Sequence, residues 1–99
     1  MSCEILVGLD ITDAGQYRQY REAMMPLLKK HHGGFRYDFW VNEILKSATT
    51  NAINRVFVIY FQDKKNRDLF FSNADYLLIK KKYYQGAVAA TTILSEYGS

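Results

Sequence analysis

The chain has 99 residues, 48% hydrophobic and 23% charged, with a net charge of +3, enough for one domain spanning residues 1–99 and too few for two. The positive charge is too small and too dispersed for a dedicated nucleic-acid binder, and no apolar run approaches the ~20 residues that span a bilayer, so neither nucleic acid nor membrane is expected as a partner. A single cysteine, Cys3, leaves no disulfide framework and fits a reducing, cytoplasmic setting.

CEILVGLDIT, residues 3–12, is apolar and β-branched and reads as a buried strand. Asp13 follows as a helix N-cap, with Gln16 three residues on as in a capping box. Tyr17, Tyr20, Met24, Leu27, Leu28 and His31 recur at helical spacing and give the helix one apolar face. Pro26 lies inside it, removes the hydrogen bond to the Glu22 carbonyl, and predicts a kink. Gly33 is the expected left-handed residue that ends the helix.

GGFRYDFWVNEILKS, residues 33–47, reads as a second strand, and the polar SATTNAIN, residues 47–54, as a loop. RVFVIYFQ, residues 55–62, is the strongest strand of the chain. A second helical region starts near Asp63 and is capped again around Ser72, Asn73, Ala74 and Asp75. There Tyr76, Ile79 and Tyr83 share a face, and Lys80 to Lys82 lie near the end, where cations suit the helix dipole. VAATTILSEY, residues 88–97, is the last strand. The order is βαββαβ, which predicts an α+β, ferredoxin-like fold: a four-stranded antiparallel sheet with both helices on one face.

The strands carry apolar groups on both faces, whereas an open sheet face should be polar. Phe57, Ile59 and Phe61 oppose Val56, Val58 and Tyr60; Ile5, Val7 and Leu9 oppose Leu6. Two helices cover one face only. The economical cover for the other is a second copy of the sheet, giving a homodimer with a barrel-like interior. By strict alternation, Phe35, Tyr37, Phe39 and Val41 lie under the helices, and Arg36, Asp38, Trp40 and Asn42 face the barrel.

Asp10, Asp13, Tyr17 and Tyr20 form a D-x-x-D-x-x-x-Y-x-x-Y pattern, followed by His32-Gly33-Gly34, the strand start Asn54-Arg55-Val56, and Asp75-Tyr76. Together these resemble the domain-of-unknown-function family thirteen-thirty, of the dimeric α+β-barrel superfamily. Its relatives include antibiotic-biosynthesis monooxygenases, chlorite-dismutase-like proteins and EthD-like proteins. The resemblance implies the fold and the dimer, and it marks Arg55 and Tyr76 as family positions.

Arg36, Asp38, Trp40 and Asn42 are the candidate ligand-binding row: Arg36 for an anionic group, Asp38 as a base, Trp40 as a stacking wall. The competing reading is an Arg36–Asp38 pair that satisfies itself at the dimer interface. Arg55 is expected to pair with Asp38 or Glu43, or to reach the cleft. His32 is a further candidate at the cleft mouth, because its pKa lies near neutrality, and Tyr76 another. His31 and His32 point about 100° apart on a helix and lack ligand spacing, so no metal is expected. No cofactor is expected either. Cys3 has no evident positive neighbour to activate it.

Two function classes follow. One is a homodimer that binds a small molecule between sheet and helices or in the barrel, as a cofactor-independent enzyme of the monooxygenase or isomerase kind that the resemblance implies. The other is a non-enzymatic structural or regulatory dimer with a filled barrel. RNA recognition shares the βαββαβ order, but residues 55–61, RVFVIYF, lack the glycines and the stacking aromatic of that motif.

Overall fold

A computed structural model describes residues 2–98. Strand β1 (Cys3–Ile11) leads into helix α1 (Ala14–Lys30), then β2 (Gly33–Trp40) and β3 (Arg55–Phe61). Helices α2 (Lys64–Ser72) and α3 (Ala74–Ile79), a π-helical turn (Lys80–Tyr84) and a short α4 (Gln85–Ala87) precede β4 (Val88–Gly98). The strands form one antiparallel four-stranded sheet in the order β2-β3-β1-β4, the ferredoxin-like arrangement that the element order predicts. No helix among the described residues is long and apolar enough to cross a membrane.

Local chemistry accounts for the boundaries. The Asp13 carboxylate accepts from the Gln16 amide at 3.0 Å and starts α1. Gln16 does not return the bond as a capping box would; its side-chain amide donates to the Tyr83 carbonyl at 2.9 Å and ties α1 to the π-helical turn. Asp63 and Asn73 cap α2 and α3 in the same way, through Asn66 and Tyr76 amides. Helix α1 continues past Pro26 to Lys30. The left-handed residue after it is His32, at φ 57°, not Gly33. Gly33 answers a different need: a Cβ there would lie 2.5 Å from Leu28 Cδ1 and 2.9 Å from the Tyr60 carbonyl, so helix and sheet meet over bare backbone.

The second strand is shorter than the sequence suggests. It stops at Trp40, and residues 42–53 form an irregular excursion whose ends are pinned by Val41 N–H to the Asn54 carbonyl and Asn54 N–H to the Leu9 carbonyl, both 2.8 Å. Asn54 then extends the ladder with its side chain, accepting from the Ile11 amide and donating to the Ile11 carbonyl, each at 2.8 Å. Ile53 lies against Gly8 on the sheet face away from the helices, where a Cβ would come within 3.0 Å.

The core lies between sheet and helices. Leu9, Tyr17, Met24, Leu28, Phe61 and Phe70 are its largest fully buried side chains. A chain of aromatic rings crosses it, with Phe70 centred 5.5 Å from Phe61 and 4.4 Å from Tyr76.

Candidate functional site

One irregularity in β2 positions the site. Phe35 pairs with Ile59 and Tyr37 with Val58, so Arg36 is an extra residue, a β-bulge. Beyond it the alternation reverses. Asp38 stands opposite Phe57, and Trp40 opposite Arg55, on the helix side; Tyr37 and Phe39 turn to the open face. The strict alternation expected from the sequence is therefore corrected after Phe35. An inserted residue in a period-two element moves every later side chain across the sheet.

The bulge brings Asp38 under α1. Its carboxylate accepts two hydrogen bonds from Arg55, at 2.7 and 2.9 Å, and two from Arg21, at 3.1 and 3.4 Å. Arg36 is not its partner. It lies on the open face, 3.1 Å from Glu4 and 4.1 Å over the Tyr60 ring. Arg21 is held from other directions too: Nε donates to the Tyr17 hydroxyl at 2.8 Å, and the guanidinium lies 3.8 Å from the Phe35 ring centre. Arg55 lies 4.4 Å over Trp40. Burial pushes the Asp38 carboxyl up, but the hydrogen bonds and charges of Arg55 and Arg21 together outweigh it and hold it below the usual carboxylate range. Asp38 is thus an ionised, doubly paired anion, a poor proton acceptor near neutrality.

Two recesses flank this cluster. The first is a chamber of about 180 Å³ between sheet and helices, walled by Ile5, Val7, Met24, Phe35, Phe57, Ile59, Phe71 and Ile93. Its polar groups are Tyr17, Tyr20, Tyr76, Tyr84, Thr91, Arg21 and Lys80. Tyr20 and Tyr76 share a hydrogen bond of 2.9 Å, and Tyr84 shares one with Thr91. The π-helical turn aims Tyr84 inward, its ring centred 4.9 Å from Tyr20. Burial pushes all four phenols up. They are neutral hydroxyls at physiological pH, able to donate to a guest. The second recess, about 280 Å³, is lined by Ala14, Tyr17, Arg18, Arg21, Trp40 and Arg55. Tyr17 and Arg21 are walls of both.

Of the residues singled out from sequence, Asp38, Trp40 and Arg55 meet around the second recess, and Tyr76 lines the chamber. Arg36 is on the opposite face. Asn42 is exposed in the excursion after β2, and His32 is exposed in the turn after α1, where its carbonyl accepts from Gln62. Neither lines a recess. His31 packs on Phe70 with Nδ1 2.8 Å from the Leu27 carbonyl. Among the described residues no group of three His, Cys, Asp or Glu side chains is arranged to hold a metal. Cys3 does have a positive neighbour, Arg67, whose Nη1 is 3.3 Å from Sγ; 64 residues of separation hide it from a sequence reading. Arg18, Arg21, Tyr84 and Thr91 were not singled out. Arg21 carried one signal, its position four residues after Tyr17, beside the apolar helix face.

No family model matches the chain, and no curated protein matches it. Solved structures match over nearly all of it. A protein of unknown function from Rhodopseudomonas palustris superposes with a TM-score of 0.84 at 13% identity, covering 99% of this chain and 82% of that one. A dimeric ferredoxin-like protein of unknown function from Jannaschia sp. gives 0.60 at 12%, covering 100% of both. A candidate antibiotic biosynthesis monooxygenase from Nitrosomonas europaea gives 0.56 at 16%, covering 99% and 89%. At these identities the likeness is one of fold. The chain has the ferredoxin-like fold found among these proteins.

Proposed function

We propose that the protein is a homodimer that holds a small apolar or aromatic molecule in the chamber between its sheet and its helices. The chamber itself carries this reading. Its volume of about 180 Å³ is of the order at which an apolar cavity takes up a single aromatic ring, ~150 Å³. Apolar walls with a few convergent hydroxyls are what a small-molecule site needs. The dimer is supported by the open sheet face, where Tyr37 and Phe39 stack at 5.9 Å and are 60% and 53% exposed, and by the dimeric Jannaschia protein of the same fold.

The finer reading is a cofactor-independent monooxygenase or isomerase acting on the bound molecule, in line with the Nitrosomonas protein. In it the neutral phenols of Tyr20, Tyr76 and Tyr84 act as hydrogen-bond donors to the guest. The alternative, a non-enzymatic dimer, draws support from the way Tyr20 and Tyr76 already satisfy each other. Within this fold, the pattern of Asp10, Asp13, Tyr17 and Tyr20 supports membership of the thirteen-thirty family.

Methyl NMR with benzyl alcohol as the probe tests the chamber. Signals from Ile5, Val7, Ile59 and Ile93 are expected to shift together and saturably. No shift, or shifts confined to the open face, would remove the chamber from consideration. A native mass spectrum reads the dimer directly, and extra mass on it would identify a retained guest; a monomer refutes the homodimer.

A further inference from the structure

The second recess has an excess of cationic groups over anionic ones. Arg18, Arg21 and Arg55 line it, and the carboxylate bound to two of these guanidiniums is Asp38. Arg18 makes no ion pair among the described residues. A guanidinium offers five N–H donors. Arg21 uses three of them, on Asp38 and Tyr17, and Arg55 uses two, on Asp38. The side chains of Arg21 and Arg55 are only 15% and 16% exposed, so unused donors there lie in a medium that strengthens charge-assisted bonds.

The cluster is also built in advance. Arg21 is fixed between the Phe35 and Phe57 rings, 3.8 and 4.9 Å from their centres. Arg55 is fixed against Trp40 and Tyr17, at 4.4 and 5.5 Å. Held forks lose little side-chain entropy when an anion arrives. Asp38 displays what these forks accept, a planar two-oxygen group. The remaining walls are the rings of Trp40 and Tyr17 and the small Ala14.

We infer that this recess is a binding site for a small aromatic carboxylate, its carboxylate taken by Arg18 and the unused donors of Arg21 and Arg55, its ring lying against Trp40. The site goes beyond the apolar chamber and does not depend on it. A phosphate dianion suits the recess less well, because Asp38 repels the second charge and the aromatic walls find nothing to cover.

Trp40 is the chain's one tryptophan, so its emission reports occupancy without a label. Titration of the full chain with sodium phenylacetate should change that emission saturably. Phenylacetamide, the same body without the charge, should bind at least about tenfold more weakly, as loss of one charge-assisted hydrogen bond implies. Inorganic phosphate should also be the weaker by about tenfold. Arg18 is exposed and unpaired among the described residues, so Arg18→Gln should fold as the parent does; it should weaken phenylacetate about tenfold, with Arg18→Lys in between. Equal binding of acid and amide, equal or tighter binding of phosphate, or an unchanged affinity in Arg18→Gln would each overturn the site. Benzyl alcohol should leave Trp40 emission unchanged, so failure in the recess and failure in the chamber are read separately.

Discussion

The two faces of the sheet are made from the same strands and meet different fates. Toward the helices, Ile5, Val7, Leu9, Phe57, Ile59 and Phe61 are buried and every ring has neighbours. Away from them, Tyr37 and Phe39 stack on each other in the open, and Arg36 closes over Tyr60 and Glu4. Apolar content does not separate the faces. Cover does: an aromatic ring contributes its few kcal/mol only when something removes its area from water. The covered face therefore holds the protomer together, while the open face leaves Tyr37 and Phe39 in water.

Substitutions should expose that contrast, beginning with the core. Phe61→Ala, at a fully buried ring, is expected to cost about 3–5 kcal/mol in urea unfolding. A cost near zero would mean that the covered face is not the stabilising one.

Asp38→Asn tests the charged cluster at the edge of the covered face. At pH 7 it should cost about 1–2 kcal/mol, discounted from a fully buried pair because the Asp38 side chain is 30% exposed. The folded-state pKa of Asp38 lies below its unfolded value. Its contribution is therefore present above the unfolded pKa of ~3.9 and disappears as pH falls through the folded value. Parent and variant stabilities should converge in acid; a constant gap would rule out ionic pairing as the cause.

The phenols have the opposite sign. Their folded pKa values are raised by burial, so the stability they contribute is complete below ~10 and is lost as pH rises above it. Tyr20→Phe should cost about 1–2 kcal/mol at neutral pH, because the Tyr76 hydroxyl loses its partner, and should flatten the alkaline decline. An unchanged decline would remove Tyr20 from its causes.

The open face should respond least within the protomer and most between protomers. Tyr37→Ser with Phe39→Ser is expected to change protomer stability by about 0.5 kcal/mol or less, while sedimentation shifts from dimer to monomer. A dimer that survives both changes would place the interface elsewhere. Deletion of Arg36 tests the bulge that links the two faces. Removing the bulged residue leaves Phe35 and Tyr37 in their present pairings, so Asp38 should still reach Arg55, at a cost of about 1 kcal/mol or less from the lost Glu4 and Tyr60 contacts. Disturbed Asp38–Arg55 coupling in the deletion would show that the bulge does more than re-aim the strand.

Much of the frame was legible because its signals are local. Asp13, Asp63 and Asn73 are capping residues whose partners lie three positions on, and the apolar runs of β1 and β3 have the right length and period. The site was legible only in fragments. Asp38, Trp40 and Arg55 stood out as residues, and Arg55 does pair with Asp38 as one of its expected partners; yet Asp38 was also matched to Arg36, two places away, and its second partner, Arg21, 17 away, carried no such signal. A bulge leaves no mark in a sequence of alternating large side chains, since either parity looks acceptable there. The π-helical turn that aims Tyr84, and the distant approach of Arg67 to Cys3, are equally silent.

The sequence by itself determined the element order, the antiparallel ferredoxin-like sheet and the surplus of apolar surface on its second face, because periodicity, capping and crossover handedness act over a few residues at a time. Only the tertiary structure decided which side chains share a space. That choice depended on one extra residue in β2 and on where α1 and the π-helical turn came to rest against the sheet, and packing of this kind is settled by the whole molecule at once.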